Sequence, residues 1–479
     1  MKHKISGNDL TSGSIPRHLF ELALPMLIGN LLNTSYSIID AMWVGRIVGK
    51  EAIGAIAVSF PVIFIFISAA TGATIATTIL VSQYYGAKKF KLLERTVNTS
   101  FALAMSLGMV LSISGVLFAD WILHLLGTPE TIFPLASSYL KISFMGFTVL
   151  YMSHLVTSIL RGIGDTRTPL LFIACGVAVN AVLDPLLIIG IGPFPEMGLN
   201  GAALASLISS FIALSLGLVY LRKKGSVLAF RFSKLTLDIP LIRTIFTIGF
   251  PSMLQQSAVS LGMATVISYV NSFGDVASAA YGAAWKIESV AFLPAMSIGL
   301  AVSALTGQNL GAEKIDRVHS IFKWGIAMTV SVSLFFSFFF LLIPEQLLSI
   351  FTDDQNVIAI GRGYLRIVGP STVMFAIMYV SNGIINGAGH TTTTLMFTVI
   401  SLWGVRVPLS AVLSQTRLGI TGIWIAFSIG FATIMSISLW WYYSGKWKRR
   451  VIKYVKAPAV VETSQITNLD IDRNLGTQE

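Results

Sequence analysis

The chain has 479 residues, of which 54% are apolar and only 11% are charged, and its formal net charge is +11. Because soluble proteins carry about 25% charged residues, this composition excludes an ordinary soluble domain and indicates an all-α polytopic membrane protein. The single cysteine, Cys175, lies inside an apolar run, so we expect neither a disulfide nor a cysteine-based metal site.

Apolar runs near or above the roughly 20 residues that cross a bilayer predict twelve transmembrane helices. Their expected bounds are 17–44, 52–82, 96–119, 137–160, 168–192, 198–221, 243–271, 276–306, 319–343, 361–388, 392–414 and 419–443. An even number of spans places both termini on one side. Of the 33 lysines and arginines, 24 fall on that side and six on the other, which predicts cytoplasmic termini. The basic loops are then expected to contact anionic lipid headgroups, and the net charge requires no nucleic-acid partner.

The first span carries a polar stripe in its outer half. Asn33, Tyr36, Ser37 and Asp40 follow one another at i, i+3, i+4 and i+7, which places all four on one helix face. A charge near the bilayer centre costs about 2.5–3.5 kcal/mol on insertion scales, so we expect the stripe to face protein or a water-filled cavity. The alternative is that Asp40 lies near the helix end and reaches interfacial water.

The fourth and fifth spans add further polar groups. His154 in the fourth span is either a proton relay or a hydrogen-bonded interior residue. Asn180 and Asp184 in the fifth span share one face, and Pro185 removes one helical hydrogen bond beside them. Since Asp184 and Asp40 lie at comparable depth, the two carboxylates would share protons if they met. The alternative is a structural hydrogen-bond cluster that joins the two helices.

In the second half, Gln255 and Gln256 on the seventh span are candidates to line a cleft together with the stripe of the first span. Glu288 lies near the middle of the eighth span. It would suit a cationic substrate, or it would form a salt bridge with Arg406 on the eleventh span. From residue 446 onward we expect a basic segment at the membrane surface, followed by a polar tail.

The two halves of the chain repeat. QYYGAKK at 83–89 recurs as QNLGAEK at 308–314, RGIGDT at 161–166 as NGAGHT at 386–391, and MGLNG at 197–201 as LGITG at 418–422. Both copies begin on the same side, so a pseudo-twofold axis along the membrane normal would relate two six-helix lobes. The expected organisation is a cytoplasmic N-terminus 1–16, an N-lobe 17–222, a linker 223–242, a C-lobe 243–445 and a cytoplasmic tail 446–479.

This repeat resembles the multidrug and toxic compound extrusion (MATE) family, because segments 25–46, 83–87, 161–169, 180–185, 198–205, 286–288 and 308–312 match its motifs in order. The resemblance implies a monomeric antiporter of the cell membrane that exports cationic amphipathic compounds in exchange for protons or sodium, without a cofactor. It also implies ion-coupling roles, including any Na⁺ binding, for Asp40, Asn180 and Asp184. The position equivalent to Asp40 in the second half is Val266, and the seventh and tenth spans have no acid, which favours coupling in the N-lobe.

Other functions are less well supported. A lipid-linked saccharide flippase with the same two-lobe architecture is the main alternative, but it would need a cleft rich in arginine and lysine for pyrophosphate. The spans also lack the H-E-x-x-H and G-x-S-x-G motifs of membrane enzymes, and the chain lacks a P-loop. We therefore expect a secondary transporter and no enzyme.

The predicted topology can be tested with reporter fusions at residue 479 and within the loop 345–360. Because an odd number of spans separates these sites, we expect the two reporters to be active on opposite sides of the membrane. Activity on one common side would contradict the twelve-span prediction.

Overall fold

The computed structural model describes residues 7–225, 227–230 and 235–449. Within these ranges the regular elements are helices, as predicted for an all-α membrane protein. A helix satisfies its own backbone donors and acceptors, which is why apolar runs that meet lipid fold this way. The expected cytoplasmic segments 1–6 and 450–479, and residues 226 and 231–234 of the expected linker, lie outside the described residues.

The described residues of the first half of the chain form seven α-helices, and a π-helical turn, Val44–Val48, follows the first of them. They are α1 Ile15–Trp43, α2 Lys50–Gly86, α3 Phe90–Leu125, α4 Phe133–Met145, α5 Phe147–Gly162, α6 Arg167–Ile189 and α7 Leu199–Lys224. We call this half the N-lobe.

The second half, as far as Arg449, contains nine α-helices and, at Val399–Arg406, a further π-helical stretch. They are α8 Ile239–Asn271, α9 Asp275–Gly311, α10 Ile315–Leu342, α11 Pro344–Ser349, α12 Gln355–Val368, α13 Thr372–Gly387, α14 Thr391–Thr398, α15 Val407–Ser414 and α16 Ile420–Tyr443. We call this half the C-lobe.

Ten of these continuous helical stretches are long and apolar enough to cross a membrane, and the bent pair α4–α5 makes eleven. The 33-residue helix α8 occupies the place of the remaining expected span. Several helices extend beyond the predicted bounds. Helix α2, for example, continues to Gly86 instead of ending near 82.

Three predicted spans are interrupted. The fourth bends by 46° between α4 and α5, where Gly146 follows α4. The tenth contains a 3-10 turn at Gly369–Ser371, since Pro370 cannot donate a helical hydrogen bond. The eleventh passes through its π-helical stretch just before Pro408. Sequence periodicity detects none of these breaks, because the apolar runs continue through them.

The repeat is visible in the backbone. Gly198 and Gly419 precede α7 and α16 with φ/ψ of 53°/−130° and 53°/−131°, a conformation that glycine adopts readily and other residues avoid. Among the described residues, the non-glycine positions with positive φ are Lys88 and Glu313, at 56° and 62°. These pairs lie in the repeated sequence motifs, so the motifs form matching turns in the two halves of the chain.

The two lobes meet along α2, α8 and α9, where glycines allow backbones to touch. A Cβ atom at Gly86 would lie 2.0 Å from the carbonyl oxygen of Gln308, and one at Gly311 would lie 2.1 Å from the carbonyl oxygen of Gln83. Neither approach leaves room for a side chain. Gly86 and Gly311 are therefore required for this contact, which we call the seam.

Side-chain hydrogen bonds cross the seam in a symmetric pair. The amide nitrogen of Gln83 donates to the carbonyl oxygen of Gly387 at 2.8 Å, and that of Gln308 donates to the carbonyl oxygen of Gly162 at 3.0 Å. Both glycines end helices, at α13 and α5, whose last carbonyls have no donor within the helix. The glutamine of each repeated motif thus binds a helix end of the other lobe, and the pseudo-twofold axis relates the two contacts.

Residues 7–13, which we call the strap, cover the seam and bind both lobes. Asn8 donates to the carbonyl oxygen of Gly164 at 3.0 Å, and the N–H of Leu10 donates to Gln308 Oε1 at 3.2 Å. Within the strap, the Thr11 hydroxyl bonds to Asp9 and holds the pKa of that carboxyl below its ordinary value. The ionised Asp9 carboxylate therefore stabilises the turn of the strap by accepting hydrogen bonds from Thr11.

On the opposite side the lobes separate. Within the described part of the chain, the hydrogen bonds between the helices of the two lobes and their caps lie at the seam, between Arg95 of α3 and Asp238 at the start of α8, or, for Asn30 Nδ2 to Ser297 Oγ at 3.3 Å, near the middle of α1 and α9. Beyond that point the outer half of α1 is exposed, with Ile38 57% and Met42 47% accessible. We call the space between the lobes on this side the cleft.

The end of the described region packs on the C-lobe through one aromatic residue. Trp447 is fully buried, its ring stacks on Tyr442 at 5.8 Å, and its Nε1 donates to the carbonyl oxygen of Tyr442 at 2.9 Å. His319 of α10 also contacts this ring. Trp447 therefore anchors the end of α16 to the C-lobe and does not insert into lipid.

We predict that the seam controls the distance between the lobes. Alanine at both Gly86 and Gly311 places two Cβ atoms against carbonyl oxygens, and such overpacking costs about 1–3 kcal/mol per site. Spin labels at Lys91 and Asp316, in a cysteine-free background, should report a longer inter-lobe distance in this variant. Gly282→Ala in α9 is the matched control, because a Cβ there meets no atom within 4 Å. An unchanged distance in the seam variant would contradict the prediction.

Candidate functional site

The predicted acids of the N-lobe lie on two packed helices. Asp184 on α6 is fully buried, Asn180 one turn before it is 2% exposed, and Asp40 on α1 is half-buried. Helices α1 and α6 pack along each other, and the charge of Asp40 lies close enough to act on Asp184. The structure thus brings Asp40, Asn180 and Asp184 into one cluster.

Asn180 connects Asp184 to the neighbouring helix. In the amide orientation that satisfies its surroundings, its nitrogen donates to Asp184 Oδ2 at 2.7 Å and its oxygen accepts from the N–H of Ser206 at 3.1 Å. Asp184 therefore has a donor that stabilises an ionised carboxylate, while Pro185 next to it leaves α6 without one backbone hydrogen bond.

Asp40 is less well satisfied. Its Oδ1 atom is buried without a hydrogen-bond partner. A buried carboxylate oxygen without a donor costs about 1–3 kcal/mol or more, so the site favours a bound proton or cation at this atom. Asp40 also lies far along α1, three residues before the helix ends at Trp43.

Two residues of the cluster escaped the sequence analysis. Ser206 on α7 forms a hydrogen bond of 2.6 Å with the hydroxyl of Tyr36, so it joins the stripe of α1 to Asn180. Tyr139 on α4 lies within the influence of the Asp40 charge. Neither residue has a sequence signal, because serine and tyrosine are common in membrane spans and only the packing of α4 and α7 brings them here.

The remaining stripe residues are exposed on the outer half of α1. Asn33 and Ser37 are exposed, and the Ser37 hydroxyl donates to the carbonyl oxygen of Asn33 at 3.1 Å. On α8, Gln256 is exposed, whereas Gln255 is half-buried and donates to the Thr398 hydroxyl at 2.9 Å. Gln255 therefore ties α8 to α14, and Gln256 is the freer of the two glutamines.

Glu288 does not line the cleft in this conformation. It is 2% exposed inside the C-lobe, where the hydroxyl of Tyr364 donates to Oε2 and Oε1 has no partner. Arg406 does not form a salt bridge with it in the described region. The Arg406 guanidinium lies 4.3 Å from the ring centres of both Phe427 and Phe431. Aromatic rings thus satisfy this arginine in place of the acid.

His154 of α5 is exposed, and within the described residues no hydrogen bond joins it to the acid cluster. It therefore lies outside the hydrogen-bonded part of the site. A proton relay through His154 would need intervening water.

Comparisons with known sequences agree on one family for this chain. The sequence model of the MatE family matches residues 25–186 and again residues 251–412, which are the two copies of the repeat. The probable multidrug resistance protein YoeA of Bacillus subtilis is 32% identical over 445 residues, covering 92% of this chain and 96% of its own. The FAD transporter of Shewanella oneidensis is 28% identical over 429 residues, covering 88% and 92%.

Solved structures agree on the fold. A multidrug resistance MATE transporter of the MOP superfamily superposes with a TM-score of 0.85 at 23% identity, covering 92% of this chain and 98% of that chain. The similarity extends over both lobes, which supports the assignment of α1–α7 and α8–α16 to two related halves.

We predict that the Tyr364–Glu288 hydrogen bond stabilises the C-lobe. Tyr364→Phe leaves both carboxyl oxygens of Glu288 without a donor, which should lower the free energy of unfolding by about 1–3 kcal/mol. Thermal unfolding of the purified protein measures the effect, and Tyr443→Phe, at a position 75% exposed, is the control. Equal melting temperatures for the two variants would show that the bond contributes nothing.

Proposed function

The chain belongs to the MATE family of secondary transporters, and on that basis we propose that it exports cationic amphipathic compounds in exchange for protons or sodium. The observation that carries this proposal is the cluster of Asp40, Asn180 and Asp184, two acids and an amide enclosed between α1, α6 and α7. Charged carboxylates are costly within a membrane, so a bound proton or cation stabilises an acid pair there.

The coupling mechanism follows from the difference between the charged and neutral forms. When both carboxylates are ionised, their repulsion and the unpartnered Oδ1 of Asp40 oppose close packing of α1 against α6. A proton on either acid removes the repulsion. Sodium would do so through the oxygens of Asp40, Asp184 and Asn180. Either ion can shift the protein between two lobe arrangements only because it binds them unequally.

Substrate binding would use the cleft. The exposed polar atoms of Asn33, Ser37 and Gln256 border it, among large exposed apolar side chains of α1 such as Ile38. Mixed surfaces of this kind accept amphipathic molecules of varied shape. We place Glu288 outside this surface, and a substrate role for it would require the C-lobe to open around its carboxyl.

Alternating access would require the seam to open. With the lobes joined at Gly86 and Gly311 and covered by the strap, the cleft is open only on the opposite side. Taking up a cytoplasmic substrate requires the reverse arrangement. The lipid-linked saccharide flippase alternative is not favoured, since the Asp40–Asp184 cluster in the outer half of the N-lobe would repel a pyrophosphate.

We predict that Asp40→Asn and Asp184→Asn each abolish gradient-driven export while the protein level stays near normal. The amide resembles a permanently protonated acid, so the ion can no longer be released. Because the acids act as one unit, the double variant should be scarcely worse than either single variant. The measurement is uptake of a cationic dye into inside-out vesicles.

Asp120→Asn is the matched control for this experiment, because Asp120 of α3 is half exposed and paired with Lys141 at 2.6 Å. It should transport at the wild-type rate. Separate pH and sodium gradients across proteoliposomes would identify the coupling ion. Wild-type accumulation by Asp40→Asn would contradict the assignment of the coupling site.

A further inference from the structure

One cation inside the N-lobe has no partner. Arg161, near the end of α5, is partly buried, and within the described residues its guanidinium has no hydrogen bond, ion pair or ring contact. A guanidinium has five donors and no acceptor, so one that is partly buried and faces no acceptor needs an explanation. Arg406, the buried arginine of the C-lobe, by contrast lies between two aromatic rings.

Arg161 borders a small cavity of about 50 Å³ between α1, α5, α6 and α9. The wall is mostly apolar, and its polar side chains besides Arg161 are Asn30, Thr157 and Thr166. Three hydroxyl or amide groups give no negative charge to the guanidinium. The cavity has room for a small charged group, since a single water occupies only about 10–15 Å³ by this measure.

The position of the cavity connects it to the transport route. The seam closes one side of it, since Gly162 next to Arg161 accepts the hydrogen bond from Gln308. Asn30 on its wall lies at the point where α1 leaves α9, and beyond this point the cleft begins. On α5, Thr157 and the exposed His154 lie one and two turns before Arg161 on the same face. The cavity thus lies between the seam and the start of the cleft.

Membrane topology alone does not account for Arg161. The neighbouring Arg167, which begins α6, has a side chain that is 74% exposed and lies 3.7 Å from Glu21, as expected for a cation at the cytoplasmic surface. The turn between the two arginines is fixed by Asp165. Burial alone would raise the pKa of this carboxyl, but hydrogen bonds from Lys224, the N–H of Thr168 and Tyr220 outweigh burial and hold the pKa below its ordinary value. Neither the charge bias nor this turn requires a buried arginine.

We propose that Arg161, with Asn30, forms an anion subsite that binds the carboxylate of an amphipathic substrate. This subsite rests on the proposed export function. It specifies that the exported amphipathic compounds include zwitterions, which carry a carboxylate as well as a positive charge. The planar fork of a guanidinium matches a carboxylate with two parallel hydrogen bonds. Arg167, at the same turn, lies roughly 25 Å along α6 from Asp184, so the substrate anion binds away from the coupling acids, which would repel it.

The test compares two probes that differ by one charge. A rhodamine with a free carboxylate and its methyl ester are titrated by fluorescence polarisation against the full-length protein in nanodiscs, without an ion gradient. Arg161→Gln should weaken binding of the free acid on the order of 10- to 100-fold, as expected for a charge-assisted hydrogen bond, and leave the ester unchanged. Arg161→Lys, which keeps the charge without the fork, should lose less. Arg167→Gln is the matched control and should bind both probes normally.

Two results would overturn the subsite. If Arg161→Gln loses equal affinity for both probes and Arg161→Lys restores the melting temperature, Arg161 has a structural role only. Equal affinity of the wild type for acid and ester, unaffected by Arg161→Gln, would show that the cavity holds only water. Failure of the export function is distinguishable, because Arg161-dependent binding of the acid would then persist while neither probe accumulates under an imposed gradient.

Discussion

The rest of the structure depends on the direct contact of two backbones at the seam. Only glycine at 86 and 311 lets α2 and α9 approach until the carbonyl oxygens of Gln308 and Gln83 fill the places where side chains would be. The two glutamine side chains then bind the last turns of α13 and α5. This contact closes one end of the molecule, and the splay of the helices beyond it opens the other end.

The acid cluster and the seam share α1. The helix begins at Ile15, just after the strap that covers the seam, touches α9 through Asn30 near its middle and ends shortly after Asp40. Pro25 lies inside α1 and removes one helical hydrogen bond, so coupling requires that a change in the packing of α1 against α6 at Asp40 be passed along α1 across this residue to the seam. Such a physical element, with two packings that an ion biases differently, is what coupling between distant sites requires.

The sequence contained most of the fold and part of the site. The repeated motifs predicted the symmetric turns because those turns need particular residues, such as the glycine at φ 53° before α7. The spacing of Asn180 and Asp184 predicted a shared face, since helical periodicity is local. Ser206 could not be predicted because its role arises from packing between distant helices. The subsite proposed at Arg161 could not be predicted, because the positive-inside bias of membrane proteins already accounts for an arginine near a predicted cytoplasmic turn.

The most direct test of the account is whether the acid cluster sets the opening of the cleft. Spin labels at Glu51 and Val276, in the first turns of α2 and α9, report the distance between the lobes on the open side. The account predicts that the wild-type distance distribution responds to pH or to sodium, and that the Asp40→Asn, Asp184→Asn double variant holds one distribution under all conditions. A double variant that still responds as the wild type does would contradict it.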